Sequence, residues 1–194
     1  MKFDLVLAGV GGQGVLSIAA ILAEAARREG LAVLQGEIHG MSQRGGAVQA
    51  TLRLADAPVA GSLVAHGGAE MVLGVEPVEA LRCLHYLSPE GRLVTAADPH
   101  PNIPDYPPLE AVLAAVRAVP GAVLVGAADL ARRAGSGRAA NVVMVGAASA
   151  FLPLPAATVE ACLVDGFAAK GERVVEANRR AFALGRAAVG AAAP

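Results

Sequence analysis

The hexapeptide Gly9-Val10-Gly11-Gly12-Gln13-Gly14 decides the fold class of this chain. It follows a short apolar run at residues 3–8 and precedes residues 15–28, whose apolar positions recur with helical spacing. A G-x-G-x-x-G pattern between a strand and a helix is typical of the first turn of an α/β domain. Its glycines permit a tight turn, and the free N–H groups at the start of the helix can receive an anion.

Strand and helix patterns alternate along the rest of the chain. Apolar runs predict strands at residues 31–34, 71–75, 92–96 and 122–125. Helical spacing predicts helices at residues 76–86, 109–119, 129–133, 141–151, 155–168 and 172–189. Glycine and proline predict a helix end at Gly30, a turn at residues 88–91 and a rigid excursion at residues 98–108.

Residues 47–54 alternate between apolar and polar side chains, which predicts a half-exposed strand that runs antiparallel, at an edge of the sheet or under a partner. These patterns together predict an α/β fold, a Rossmann-like three-layer sandwich with a mostly parallel sheet and an antiparallel strand. We expect residues 1–194 to form a single domain.

The composition and net charge give no support to nucleic-acid binding, membrane binding or membrane-spanning functions. The 194 residues are 55% hydrophobic but only 3% aromatic, so the core consists of Ala, Val and Leu. A net charge of −1 gives no reason to expect a nucleic-acid or anionic-membrane partner. The longest apolar stretch, residues 139–155, is too short and too interrupted to cross a bilayer, and Asp4 interrupts the first apolar run before it can resemble a signal peptide. We therefore expect a cytoplasmic protein.

The side chains that most often bind metals are scattered. Cys83 and Cys162 each stand alone in a helical pattern, which predicts buried, reduced thiols rather than an iron–sulfur or metal site. The histidines show no metal-ligand spacing, so no metal site is predicted. Glu76 and Glu79 fall in the first turn of a predicted helix, where carboxylates complement the helix dipole.

The glycine turn has two interpretations. It fits a phosphate cradle of a dinucleotide site, because Glu37 follows roughly twenty residues later, where an acidic side chain receives a ribose hydroxyl. However, Gln13 beside the third glycine is unusual for such a site. The other interpretation is a tight turn that serves packing or the docking of a partner.

Residues 36–46 are predicted to form a polar loop. Arg44, beside two glycines, could present its guanidinium to a phosphate or carboxylate. His39 has no partner in the sequence and Ser42 lacks a nucleophile elbow, so no catalytic residue is predicted. A second basic group, Arg132, Arg133 and Arg138, is either a solvated face or a phosphate site.

These motifs closely resemble the gamma-type domain of 2-oxoacid:ferredoxin oxidoreductases. GGQG at residues 11–14 and RGG at residues 44–46 mark that domain, and EIHGMSQRGG at residues 37–46 is most similar to the beta subunit of indolepyruvate ferredoxin oxidoreductase. Residues 141–147 and 175–182 resemble later segments of the same family. The proline-rich residues 98–108 depart from its pattern.

The resemblance implies a subunit of an enzyme that oxidatively decarboxylates an aryl 2-oxoacid to acyl-coenzyme A, carbon dioxide and reduced ferredoxin. Thiamine diphosphate, magnesium and the iron–sulfur clusters are implied on a larger alpha subunit, and none of them on this chain alone. Coenzyme A is implied as cosubstrate, and ferredoxin as a partner through the complex. The chain is expected to be inactive without the larger subunit.

The expected substrate, coenzyme A or subunit-interface residues belong to the two glycine-containing motifs. They are Gly9, Gly11, Gly12, Gln13, Gly14, Glu37, His39, Ser42, Gln43, Arg44 and Gly45. One alternative is a free-standing NAD(P)- or flavin-binding oxidoreductase that uses the G-x-G-x-x-G turn. Another is a non-enzymatic interaction domain that docks through the flat, small-residue helix at 141–151 and the strand at 48–54.

Overall fold

The computed structural model describes residues 1–39 and 45–190, with His39 as backbone only. Its strands are β1 (Lys2–Val10), β2 (Ala32–His39), β3 (Ala47–Ala55), β4 (Ala69–Gly74), β5 (Leu87–Ala96) and β6 (Val123–Val125). Its helices are α1 (Val15–Arg28), α2 (Pro77–Arg82), α3 (Leu109–Arg117), α4 (Ala127–Arg133), α5 (Ala140–Ala148), α6 (Ala156–Phe167) and α7 (Glu172–Ala188). Short 3₁₀ turns occupy Leu84–Tyr86, Gly137–Ala139 and Ala168–Lys170.

The strands form one six-stranded sheet in the order β2-β3-β1-β4-β5-β6. The pairs β1–β4, β4–β5 and β5–β6 are parallel, whereas β3 is antiparallel to both β1 and β2. The predicted α/β fold and its antiparallel strand are therefore confirmed. The edge position predicted for β3 is wrong, because β2 pairs with its outer side and becomes the edge strand.

Two apolar clusters lie on opposite faces of the sheet. The larger one packs α1 and α4–α7 against side chains such as Leu5, Leu52 and Leu73. The smaller one packs α2 and α3 against Val6, Val72 and Leu93. Neighbouring residues of a strand point to opposite faces, so the sheet lies between two helical layers, as the three-layer prediction requires.

Tertiary pairing moves several predicted boundaries. β2 continues to His39, so residues 36–39 of the predicted polar loop are strand residues, held by pairing with residues 48–51 of β3. Residues 88–91, predicted as a turn, lie inside β5, where the register with β4 shifts between Ala69 and Met71. The predicted helix at 76–86 divides into α2 and a 3₁₀ turn. Gly30 ends α1 as predicted, since the N–H of Gly30 donates to Arg27 and that of Leu31 to Ala26.

The polar face of β3 is more covered than its alternating pattern predicts. Thr51 is buried, and its hydroxyl donates to the carbonyl of Ser62 at 2.9 Å. Arg53 donates to both carboxylate oxygens of buried Asp4, at 3.0 and 3.1 Å. It also donates to the carbonyls of Gly61 and Leu63, at 2.9 and 3.3 Å. Arg53 thus attaches the irregular segment around residues 60–64 to the sheet, and its ion pair with buried Asp4 holds the guanidinium in place.

Helices α5 and α7 approach until their backbones touch. A Cβ atom on Gly146 would lie 2.0 Å from the carbonyl oxygen of Phe182, and one on Gly185 would lie 1.9 Å from that of Val143. The small-residue segment predicted to pack closely on another backbone does so within this chain. Residues 142–148 are consequently buried and offer no docking surface.

Candidate functional site

The glycine turn lies between β1 and α1, where the chain has little space. A Cβ atom on Gly9 would lie 2.3 Å from Val75 Cγ2 and 2.8 Å from Val15 Cγ2, distances that no side chain can occupy without displacing its neighbours. Gly14, which precedes the first turn of α1, has a φ of 83°, a left-handed conformation that disfavours other residues. The turn therefore requires glycine for close packing at one end and for backbone conformation at the other.

The side chain of Gln13 bonds to the protein itself. Its Oε1 accepts the N–H of Val10 at 2.8 Å, and its Nε2 donates to the carbonyl of Val75 at 3.2 Å. Both ends of the amide are thus used to connect the end of β1 to the residue after β4. This explains why glutamine stands beside the third glycine, and it favours the packing interpretation of the turn.

Backbone hydrogen bonds join the two sequence motifs. The N–H of Gly11 donates to the carbonyl of Gly46 at 2.8 Å, and the N–H of Gly45 donates to the carbonyl of Gly11 at 3.4 Å. The structure therefore brings the GGQG turn and the end of the RGG motif together. Ser42, Gln43 and Arg44, also predicted for the site, lie outside the described residues.

Glu37 and His39 lie on the edge strand, away from the turn. Glu37 pairs with Ala50 of β3, which in turn pairs with Leu7 of β1. Strands are spaced about 4.8 Å apart, so Glu37 is roughly 10 Å from β1 in the plane of the sheet. In a dinucleotide site the second strand is adjacent to the first, and here β3 separates them. The arrangement does not match a ribose-binding acid.

A cavity of about 510 Å³ opens at the carboxyl ends of the parallel strands. Its lining includes Gly12 and Gln13 of the turn, Asp98 and His100 after β5, and Arg138 and Asn141 before and within α5. Ligands of open α/β sheets bind in such crevices, where the order of the strands reverses. Sequence analysis did not predict Asp98, His100 or Asn141 as site residues, although Asp98 and His100 follow directly after a predicted strand.

Asn141 and Asp98 are held by local contacts. A Cβ atom on Gly14 would lie 2.4 Å from Asn141 Nδ2, so glycine is needed here for the amide to reach the start of α1. The Asn141 carbonyl oxygen accepts the N–H of Val142 at 2.9 Å. The carboxylate of Asp98 accepts the N–H of Ala128 at 2.9 Å and caps α4. These groups form a polar rim around the cavity.

Buried Glu76 anchors the proline-rich wall of the cavity. Its carboxylate caps α2 by accepting the N–H of Glu79 at 2.8 Å, and it also accepts the hydroxyl of Tyr106 and, at 3.4 Å, the N–H of His100. Burial and this bond raise the pKa of Tyr106. The predicted role of Glu76 in the helix dipole is therefore only part of its contribution, because it also fixes residues 100–106.

The described residues contain no group of three or more His, Cys, Asp or Glu side chains that could hold a metal. Cys83 and Cys162 are free and buried, as predicted. Burial raises the pKa of the Cys83 thiol to about 11, which keeps it protonated near neutral pH. Within residues 1–39 and 45–190, no helix has the length and apolar content needed to cross a membrane.

Residues 4–188 match the pyruvate ferredoxin/flavodoxin oxidoreductase family. The chain belongs to this family. Indolepyruvate oxidoreductase subunit IorB of Pyrococcus horikoshii is 39% identical over 194 residues, covering 95% of this chain and 94% of the relative. Its counterpart in Methanothermobacter thermautotrophicus is 34% identical over 195 residues, covering 94% and 95%. This member of the family is therefore a subunit of a 2-oxoacid:ferredoxin oxidoreductase, as its motifs predict.

Solved structures of the family share its fold. The gamma subunit of a keto/oxoacid ferredoxin oxidoreductase from Geobacter sulfurreducens has a TM-score of 0.71 at 22% identity, covering 97% of this chain and 99% of that one. The 2-oxoglutarate:ferredoxin oxidoreductase of Magnetococcus marinus, solved with 2-oxoglutarate, coenzyme A and succinyl-CoA, has a TM-score of 0.77 at 22% identity. This chain covers 31% of that longer one. The Rossmann-like fold expected for the family is confirmed.

Proposed function

We propose that this chain is the small subunit of an oxidoreductase for indolepyruvate or another aryl 2-oxoacid. The products are the aryl-acyl coenzyme A, carbon dioxide and reduced ferredoxin. The observation that carries the proposal is the similarity to subunits named for indolepyruvate, at 34–39% identity over nearly the whole chain. Coenzyme A as the acyl acceptor is supported by its presence in the Magnetococcus marinus structure.

The chain works as one domain beside a larger subunit, in the cytoplasm. We assign thiamine diphosphate, its magnesium ion and the iron–sulfur clusters to that subunit, together with the docking of ferredoxin. The side chains that could bind a metal or a cluster support the assignment. Cys83 and Cys162 are buried in different helical regions, each without a second cysteine beside it, and the described His, Cys, Asp and Glu side chains form no group of three or more that could hold a metal. The larger subunit supplies the decarboxylation and electron transfer, and this chain completes the assembly.

The joined glycine motifs are the proposed contact with the larger subunit. The turn at residues 9–14 and the segment 37–46 would shape the entrance for the oxoacid and coenzyme A, with Arg44 as a ligand for a carboxylate or phosphate. Gly11 and Gly46 support this proposal because their hydrogen bond joins the glycine turn to the end of the second motif, and Gly12 and Gln13 of the turn line the cavity of about 510 Å³. The nucleotide alternative is disfavoured by the internal bonds of Gln13 and the distant Glu37.

The test is reconstitution. The chain, alone and co-expressed with the larger subunit, is assayed for ferredoxin reduction with indolepyruvate and coenzyme A, and we expect activity only in the complex. Arg44→Ala is compared with Arg117→Ala, which removes an exposed arginine on α3. We expect only Arg44→Ala to raise a Michaelis constant. Activity of the isolated chain, or micromolar NADH binding by it, would contradict the proposal.

A further inference from the structure

A second cavity, of about 580 Å³, lies beside the first one. It is bounded by Ser17 in the first turn of α1, the 3₁₀ turn at Gly137–Ala139, and the junction between α6 and α7. Gly137, Arg138 and Asn141 line both cavities. The two spaces thus adjoin along a shared wall, next to the start of α1.

Three cations surround this second cavity, which we call the basic cavity. They are Arg138, Lys170 and Arg173, and the lining contains no aspartate or glutamate. The ammonium of Lys170 lies 4.9 Å from the centre of the Phe167 ring, which also lines the cavity and orients the lysine. Like charges that converge on one concave site repel one another unless an anion joins them.

These cations differ from most of the other basic side chains in the described part of the chain, although Arg92, Arg117, Arg133 and Arg186 also have no carboxylate partner there. None of the three has a carboxylate within ion-pair distance there, even though Arg173 also borders a recess lined by Glu172 and Glu176. By contrast, carboxylates pair with Arg27, Arg28, Arg53, Arg82, Arg132, Arg179 and Arg180. Arg132 pairs with Asp129 and belongs to a solvated face, whereas Arg138 faces the cavities, so the basic trio predicted from sequence divides into two roles.

The backbone adds to the positive potential. α1 is 14 residues long, has no acidic residue in its first turn, and begins at Gly14 without a side-chain cap. The N–H groups of its first turn therefore carry the positive end of the helix dipole beside Ser17. Guanidinium groups, an ammonium and a helix start together match the oxygens of a phosphate.

We propose that the basic cavity binds a phosphate ester of an elongated ligand whose other end reaches the glycine turn. Arg138 and Asn141 line both cavities, so a ligand that occupies both would pass along these two side chains. The inference rests on the proposed function, where the phosphorylated cosubstrate is coenzyme A, and it names a site other than Arg44 for the phosphate end.

The test compares two variants of the full chain. Lys170→Gln/Arg173→Gln removes two cavity charges, and the control Arg117→Gln/Arg133→Gln removes two exposed arginines outside it. Calorimetric titration with adenosine 3′,5′-bisphosphate and with pyrophosphate should show binding by the wild type that weakens about tenfold in the cavity variant and stays within about twofold in the control. An equal loss of anion affinity in both variants would show that only the net charge matters, and it would overturn the proposal. An absence of binding by the wild type at low ionic strength would overturn it as well.

A second measurement uses the assembled complex. The cavity variant should raise the Michaelis constant for coenzyme A and leave that for the oxoacid unchanged. An active complex with an unchanged constant for coenzyme A would overturn the inference but not the proposed function. Anion binding by the chain, combined with an assembled complex inactive on every oxoacid tested, would refute the proposed function and leave the phosphate site supported. A cavity variant that binds anions normally but fails to assemble would identify a protein contact instead.

Discussion

The N–H of Gly11 donates to the carbonyl of Gly46 at 2.8 Å, and this bond joins two motifs that lie on opposite sides of β2 in the sequence. Pairing of β3 with β1 makes the bond possible, since Val10 lies opposite Ala47 at the end of the register. The glycine turn, whose Gly12 and Gln13 line a cavity, is therefore in direct contact with Gly45 and Gly46 at the end of the RGG motif.

Gly9→Ala should destabilise the protein by about 1–3 kcal/mol, because the new methyl group would overlap Val75 and Val15. The matched control is Gly166→Ala in α6, where a Cβ atom meets nothing within 4 Å. That change should be neutral or stabilise by about 0.5 kcal/mol, since alanine loses less backbone entropy on folding. Urea unfolding measures both, and equal effects at the two positions would contradict the close packing at Gly9.

Gln13→Met should cost about 2 kcal/mol, because it keeps the side-chain length but leaves the Val10 N–H and the Val75 carbonyl without their partner. Gln35→Met, on the edge strand, is the control; it removes an exposed hydrogen bond to Glu37 and should change the free energy of unfolding by less than about 1 kcal/mol. Thermal unfolding distinguishes them. A Gln13 variant as stable as the wild type would show that the amide does not hold the turn.

Arg53→Met should destabilise the protein by about 2–3 kcal/mol, since buried Asp4 loses its bidentate partner but keeps its ion pair with Lys2 at 2.9 Å. Arg132→Met removes an exposed ion pair with Asp129 and should cost less than about 1 kcal/mol. Proteolysis should also cleave the segment around residues 60–63 faster in the Arg53 variant, because Arg53 holds its carbonyls. Similar losses in the two variants would rule out a special role for the Asp4 pair.

Tyr106 should ionise above its ordinary value of 10.0, because burial and its bond to Glu76 raise the pKa of the hydroxyl. The folded protein then holds this proton where the unfolded chain releases it. The resulting stabilisation is complete below pH 10 and is lost as the pH rises through the folded-state pKa.

Tyrosinate absorbance of the Tyr86→Phe variant, in which Tyr106 is the remaining tyrosine, follows this titration. Tyr106→Phe should remove the dependence of stability on alkaline pH that this group causes. Ionisation at the ordinary pH in the folded state would show that the hydroxyl does not bond to Glu76.

Local patterns were sufficient to predict most elements. The apolar run, glycine turn and helical spacing of residues 3–28 predict β1 and α1 because each signal depends only on neighbours in the sequence. The signals failed where pairing decides the structure. Residues 36–39 include Gly36, Glu37 and His39, yet they continue β2 because β3 supplies hydrogen-bond partners.

Only part of the candidate site could be predicted, because local motifs identify some of its residues and tertiary contacts bring in the others. The turn and Gly45 were identified from their motifs, and the structure joins them. Asp98, His100 and Asn141 belong to no recognisable sequence motif. They line the cavity because the fold places the end of β5 and the start of α5 beside the glycine turn. The basic cavity is a further case, because Lys170 and Arg173 are far from Arg138 in the sequence and only the folding of the junction between α6 and α7 places all three around one cavity.

The amino-acid sequence alone determined the fold class, the antiparallel strand, the family resemblance and the buried state of both cysteines, because periodicity, glycine motifs and isolated apolar positions are local properties. The tertiary structure decided that β3 is an interior strand, that Gln13 bonds to Val10 and Val75, and that three cations share one cavity. Those features arise from contacts between residues far apart in the chain. Their energies depend on distance and burial, which exist only after the chain has folded.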